Sequence, residues 1–462
     1  MTLAVDVCVV GGGPAGAGEA AALARVGRRV ALVEQRPFPR DHVGESMSPG
    51  VWPLLGSLGV PRDAVESVGV PVSMAGVRWQ TPDEVPTPID GGLTVDRGMF
   101  DALQLEHARA AGVVVVAARA RRSARTATGW RVPVGPGAIE ASVLADATGR
   151  AALLGGRRTR TAPRTLALHA RWPADQLPDA PQTLICALAD GWLWCARLPG
   201  GDVRAMIFVA PDRLGSGGDE PGRLFRRLLS SADPPGPLLA DLPEGTPVGV
   251  CDASSYCIDE VVTPDAVRLG EAAFAIDPLS SSGVQTALQT GVAAAATIHT
   301  LLSPDGDRAA ALEYYADLVQ ASVRHHRSTA GRLYAEHDRF ADRRFWRLRR
   351  GDAAPAPSVA RRIEPAELLP RRVRLRAPAE LRPVVCRVGD RIELHRALCR
   401  PDWDRPVGLL SGLPVGSLVD ELYAAPNLGL AVSEWVRSLP PGRAAQILSW
   451  FLDHGLLEPV DA

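Results

Sequence analysis

The sequence contains no lysine; each of the 51 basic residues among its 462 is an arginine. A GC-rich genome is the ordinary cause of such a bias, but the chemical consequence holds whatever the cause. No Schiff-base lysine can form, and no lysine amine is available to carry an oxidised halogen as a chloramine. An excess of one charge is lacking too. The 51 basic residues face 52 acidic ones, a net charge of −1, so the chain offers no electrostatic footprint for nucleic acid or an anionic membrane. Cysteines are few and scattered: Cys8, Cys186, Cys195, Cys251, Cys257, Cys386 and Cys399 form no C-x-x-C pair. That argues against a zinc site or a disulfide framework, and no metal is expected. No apolar run reaches the ~20 residues of a membrane-spanning helix, so membrane insertion is not expected. The N-terminus runs straight into a strand without a basic n-region or cleavage site, which predicts no signal peptide and a cytoplasmic location. Hydrophobic content of 46% and charged content of 22% are those of an ordinary globular chain.

What is present begins at once. Residues 3–10 (LAVDVCVV) are a continuous apolar run, as in a buried parallel strand; residues 14–27 read as a helix of small residues, and residues 29–34 (RVALVE) as a second buried strand. Between them, Gly11, Gly13 and Gly16 fit G-x-G-x-x-G in a βαβ unit. Gly11 permits the tight turn, Gly13 lets the backbone approach a pyrophosphate, and Gly16 lets helix pack on strand; Pro14 and Ala15 open the helix whose N-terminus faces the phosphates. Glu34 ends the second strand, where a carboxylate accepts ribose hydroxyls, and Gln35 and Arg36 follow it. Further along, a helix is predicted over 97–112, a strand at VVVVAAR, and a short returning strand at 144–150 (LADATGR). Residues 160–260 have the strand-and-turn texture of an antiparallel sheet. An apolar strand is expected at 267–275, a small-residue helix from about 283 to 302, and an Arg- and aromatic-rich helical stretch over 308–348.

Four later motifs narrow the nucleotide. Arg40 with Gly44-Glu45-Ser46, Arg97 before Phe100-Asp101, Asp146-Ala147-Thr148-Gly149-Arg150, and Gly270-Glu271 followed by Asp277-Pro278 and Ser281-Ser282-Gly283 occur in that order. Together they resemble the motifs of the flavin monooxygenase, halogenase and geranylgeranyl reductase superfamily over roughly residues 1–345. The resemblance implies FAD, held by the fingerprint residues and by Arg40, Ser46, Arg97, Asp146, Gly149, Glu271, Asp277, Pro278, Ser282, Gly283 and Val284. Glu271 departs from the family's usual aspartate. The implied fold class is α/β, with a Rossmann-type FAD-binding domain interleaved with an antiparallel-sheet substrate domain, glutathione-reductase-like or p-hydroxybenzoate-hydroxylase-like. The FAD-binding domain is expected over 1–66, 91–160 and 262–345, and the substrate sheet over 67–90 and 161–261.

Gly191-Trp192-Leu193-Trp194 followed by Leu198-Pro199 looks like the W-x-W…P element of the tryptophan-halogenase-like branch, with the proline displaced. Simple strand packing explains both tryptophans equally well. That branch relies on a catalytic lysine, which this chain lacks. The chain also resembles flavoproteins that mature protein-derived quinone cofactors, such as the monooxygenases of quinohemoprotein amine dehydrogenase biogenesis. That resemblance implies hydroxylation of an aromatic side chain, tryptophan above all, in a peptide or protein, through a flavin C4a-hydroperoxide formed with O2. Without a second Rossmann motif, electrons are expected from transient NAD(P)H or a separate flavin reductase. Glu45, His42, Asp277 and His169 are the candidate acid/base groups; His325 and His326 read as solvated residues of a polar helix face. Competing readings are a small-molecule aromatic hydroxylase, a halogenase with another relay, an ene reductase, or a flavin-binding maturation chaperone.

Residues 351–379 read as a linker, richest in Pro and Ala at the start. Residues 380–462 follow as a small α+β module resembling a winged helix or a peptide-recognition unit, with a hairpin around Gly389-Asp390, short helices, and a last apolar strand at LLEPV.

Overall fold

The computed structural model describes residues 2–173, 183–214, 219–232, 242–351, 364–403 and 405–460. The chain divides into two compact units, Met1–His299 with Tyr315–Ala353, and Thr300–Tyr314 with Ala354–Ala462.

The first unit is built on two sheets. In one, five parallel strands run in the order Val114–Ala117, Val30–Glu34, Thr2–Val10, Gly137–Asp146, Ala266–Arg268. Thr2–Val10 is flanked on both edges, with Val9 opposite Leu32 on one side and Ala145 on the other. Its apolar run is unbroken because both faces are covered: Val7, Cys8 and Val9 are fully buried. Burial pushes the Cys8 thiol up to about 12, so it packs as a small apolar group. The helix Pro14–Arg25 starts with proline in its first turn, where the missing N–H costs nothing. Two glycines allow it to lie against the strand. A Cβ on Gly16 would sit 2.0 Å from the Gly11 carbonyl oxygen, and one on Gly11 would meet the Ala147 oxygen at 2.2 Å; Gly11 also has φ +111.

The second sheet has eight strands in the order Gly249–Asp252, Leu166–Pro173, Asp202–Val209, Gly191–Arg197, Thr183–Leu188, Gly69–Arg78, Val85–Val95, Ser46–Met47. In its central strands the side chains alternate between two buried layers. Leu168, Ala170, Leu193, Cys195, Val203, Ala205, Ile207 and Val209 form one core with Leu224, Phe225, Leu228 and Leu229 of the helix Pro221–Ser230. The intervening positions, Ala167, Trp192, Trp194, Met206 and Phe208, belong to the opposite layer.

Several segments differ from expectation. LADATGR is the end of a long strand, Gly137–Asp146, and the turn after it. The stretch 267–275 is broken at Gly270, whose φ of +57 turns the chain through a 3₁₀ turn between two short strands. The long helix Arg308–Ala335 stops before 348. His337 turns the chain there: its Nδ1 faces the Trp79 carbonyl at 2.6 Å and its Nε2 accepts the Phe340 N–H at 3.0 Å. FAD-type fold and antiparallel sheet form one compact unit, and Thr300–Tyr314 groups with the C-terminal residues.

In the second unit, the helices Val415–Ala424, Leu428–Ser438 and Arg443–Asp453 share a core around Leu418, Trp435, Ile447 and Phe451. The expected hairpin is present as Glu380–Val388 with Arg391–Cys399. Part of the expected linker is structured: Pro365–Leu368 is a helical turn, and Val373–Leu375 pairs with the last strand Leu457–Pro459. Of the linker's start, residues 352–363 lie outside the described residues.

The backbone contact at Gly16 generates a prediction. Gly16→Ala forces helix and strand apart, and overpacking of this kind costs about 1–3 kcal/mol or more. Calorimetry should show a lowered melting temperature even without any ligand.

Candidate functional site

A cleft of about 740 Å³ is lined by both sheets of the first unit, within the ~300–1,000 Å³ range of cofactor sites. One wall is made by the carboxyl ends of the parallel strands, where open α/β sheets bind ligands. Gly11, Gly13, Pro14, Ala15, Glu34 and Gln35 all line it. The helix after Gly13 has no side-chain cap, so its first-turn N–H groups are left to a ligand. A Cβ on Gly13 would meet nothing within 4 Å; the space it would enter is open cleft. Glu34 accepts N–H groups from Gly12 at 2.8 Å and Arg36 at 2.9 Å, leaving further lone pairs for hydroxyl donors. Arg40 lines the cleft near Glu34, and its buried Nε has no partner among the described residues. Uncapped helix start, free guanidinium N–H, open space at Gly13 and an anchored carboxylate match the pyrophosphate and ribose of FAD.

The loop between these residues and the second sheet is fixed by buried charge. Arg97 pairs with both oxygens of Asp101 at 3.1 Å and donates to the carbonyls of Val43 and Gly44 at 3.1 and 3.2 Å. Glu45 is almost fully buried; it accepts the Gly44 N–H and pairs with the equally buried Arg204 at 2.8 Å. Burial raises the Glu45 pKa, and Arg204 opposes the rise. Arg204 also holds Asp41 and comes within 3.4 Å of His169 Nδ1. His42 stands at the exposed rim yet is densely surrounded by protein. That desolvation, followed by the Arg97 charge, lowers its pKa. Its Nδ1 lies 2.7 Å from the Val43 carbonyl. A carbonyl only accepts, so Nδ1 carries the proton and Nε2 keeps its lone pair.

The opposite wall is apolar and aromatic: Ala167, Trp192, Trp194, Met206 and Phe208. Trp192 stacks on Phe208 with ring centres 4.0 Å apart. Its Nε1–H donates to the Tyr334 hydroxyl at 3.2 Å, and that hydroxyl donates to Asp277 at 3.2 Å. At the far end, Pro278, Gly283 and Val284 line the cleft where the helix Gly283–Leu302 starts. Ser46, Arg97, Gly149 and Glu271 line it as well, Glu271 paired with Arg150 at 3.1 Å.

Six expected site residues do not line the cleft, Gly16 among them in the packing role expected of it. Gly16 is spent on helix packing, and the Arg36 side chain is exposed. Asp146 is fully buried, its carboxylate accepting from Thr148 and from the Leu154 N–H, so it shapes the turn. The Ser282 hydroxyl donates to the Ser280 carbonyl. His169 packs against Gly249, where an added Cβ would lie 2.4 Å from its ring, and stands behind Arg204, 3.4 Å away. Asp277 faces a second cavity. His326 is half-buried, within 3.2 Å of Thr286 Oγ1, and not simply solvated. Arg204 and Tyr334 were missed by sequence reasoning. Arg204 had a signal, a lone cation in the otherwise apolar VRAMIFV; Tyr334 had none.

This architecture, a dinucleotide-binding sheet facing an aromatic antiparallel sheet across one cleft, defines the flavoprotein class to which the comparisons lead. The tryptophan halogenase family profile matches residues 6–84 and 75–374, and the chain belongs to that family. A tryptophan 2-halogenase of Chondromyces crocatus is 28% identical over 350 residues, covering 68% of this chain and 65% of its own, so the chain spans less than two thirds of that relative. Among solved structures, QhpG, a peptidyl tryptophan dihydroxylase essential for tryptophylquinone cofactor biogenesis, has a TM-score of 0.72 at 26% identity, with 98% of this chain and 99% of that one covered. The flavin-dependent halogenase CmlS shares the fold, with a TM-score of 0.75 at 20% identity over 99% of this chain and 96% of its own. No helix among the described residues is long and apolar enough to cross a membrane.

Two expectations can be measured. Gly13→Ala should keep the melting behaviour of the unliganded protein, since the new methyl meets no protein atom, yet purify with little or no FAD. For His326, burial and then the neighbouring His325 lower the pKa to about 4. A depressed histidine contributes stability that is present above its unfolded pKa and lost as pH falls from about 6.5 toward 4. Urea titrations across that range should show a shallower loss in His326→Gln than in the parent.

Proposed function

We propose that this protein is an FAD-dependent monooxygenase that hydroxylates an electron-rich aromatic side chain, tryptophan first, in a peptide or protein. The observation that carries the proposal is the pairing of an aromatic cleft wall (Trp192, Trp194, Phe208) with a chain that has no lysine. The family's halogenases resemble this protein in fold, but the amine that would relay an oxidised halogen is absent. The likeness to a peptidyl tryptophan dihydroxylase over nearly the whole chain supports a peptide substrate.

Reduced FAD, charged by NAD(P)H or a partner flavin reductase, would supply two electrons and deliver one atom of O2, the other leaving as water. The remaining tasks fall to the chain. The aromatic wall orients a flat substrate ring and excludes water. His42, neutral with a free Nε2, is placed to take a proton from the substrate at the rim of the cleft. Glu45 keeps the loop carrying His42 in one conformation through Arg204. Glu45 is therefore a positioning residue in this scheme, and His169, behind Arg204, supports it.

Halogenation is the second reading, favoured by family membership alone. Both are tested by turning over a tryptophan-containing peptide with the FAD-loaded protein, a flavin reductase and ¹⁸O2, with bromide present or absent. The expected product is heavier by one or two labelled oxygen atoms and indifferent to bromide. A brominated product, or oxygen drawn from water, would sink the monooxygenase reading.

A further inference from the structure

Phe274, Ala275 and Ile276 line the FAD cleft and also a second cavity, of about 520 Å³. Tyr334 and Asp277 stand in its wall, and so do four arginines, Arg324, Arg327, Arg349 and Arg350. Asp277 is the one acid among the lining residues, and its carboxylate already accepts from the Leu279 N–H and the Tyr334 hydroxyl. Arg324 and Arg327 lie on one face of the helix Arg308–Ala335, three residues apart, both exposed. Like charges at that spacing repel, and neither has an ion pair or hydrogen bond among the described residues. Arg349 is only 6% exposed. It spends its terminal nitrogens on the carbonyls of Phe345 and Arg164 and on Thr165, while its buried Nε, like that of Arg350, has no hydrogen-bond partner among the described residues. Buried donors without acceptors are costly, and a positive lining with spare N–H groups calls for an anion.

The anion's chemistry follows from what carries the charge. Phosphates are commonly held by backbone N–H groups at a helix start. Here Arg324 and Arg327 project from the middle of a 28-residue helix, as separate forks that fit carboxylates and phosphates alike, and the peptide reading selects the carboxylate. The aromatic residues Phe274 and Tyr334 line the same space, and its volume is smaller than that of the cleft assigned to FAD. Resting on the reading of a peptide substrate, we propose that this cavity binds an acidic stretch of that peptide, with Arg324 and Arg327 pairing with carboxylates that flank the reacting aromatic residue.

Binding can be measured without turnover, on the full-length, FAD-loaded, oxidised protein. The probes are a fluorescent peptide with tryptophan between aspartates and its counterpart with asparagines, with NADPH as competitor. The aspartate peptide should bind about tenfold more tightly, and its advantage should shrink as salt rises. Arg324→Ala with Arg327→Ala should erase the preference while FAD content and melting temperature stay unchanged; Arg324→Lys with Arg327→Lys should keep part of it. Equal binding of the two peptides, binding of neither, a preference that survives the double alanine variant, or displacement by NADPH would each overturn the proposal. Charge-selective binding with no oxygenated product would instead leave this site standing and remove the monooxygenase reading.

Discussion

The guanidinium of Arg204 joins the two sides of the cleft. It leaves the antiparallel sheet at a position that is 2% exposed and takes Glu45 and Asp41, both on the loop after the second parallel strand. A buried ion pair stabilises little on balance, but losing one partner strands the other charge at a cost of roughly 3–5 kcal/mol. The loop is therefore held to one position. Arg97 grips the same loop through the carbonyls of Val43 and Gly44. His42 lies between these anchors, so its place at the rim is set by the Arg204 ion pairs on one side and by the Arg97 hydrogen bonds on the other.

The βαβ fingerprint was legible because its constraints are local. Strand, turn and helix are specified by apolar runs and by glycines whose missing Cβ atoms are forced by backbone contacts at Gly11 and Gly16. The order of the downstream motifs located the cleft for the same reason. Legibility ended where a residue's role depends on distant partners. Asp146 sits in a segment that reads as a cofactor motif, yet its carboxylate is consumed by Thr148 and Leu154. Asp277 precedes a proline that lines the cleft but itself turns to Tyr334, 57 residues away. The Asp146 bonds are local, to residues two and eight positions on, but the cofactor motif it sits in masks them; nothing near Asp277 in sequence announces Tyr334.

Boundaries followed a similar rule. The break at Gly270 and the turn at His337 come from conformations and hydrogen bonds that interrupt otherwise good apolar patterns. The segment Thr300–Tyr314 looked like the continuation of a helical region, but its contacts place it with the C-terminal residues. Periodicity identifies a helix without saying which body it serves.

The strict alternation in the antiparallel sheet has a further consequence. Trp192, Trp194, Met206 and Phe208 shape the cleft, whereas their immediate neighbours Leu193, Cys195, Ile207 and Val209 build the opposite core. Along these two strands, odd and even positions thus meet different physical demands. Two strands buried on both faces in this way divide, residue by residue, the side chains that line the cleft from those that build the opposite core.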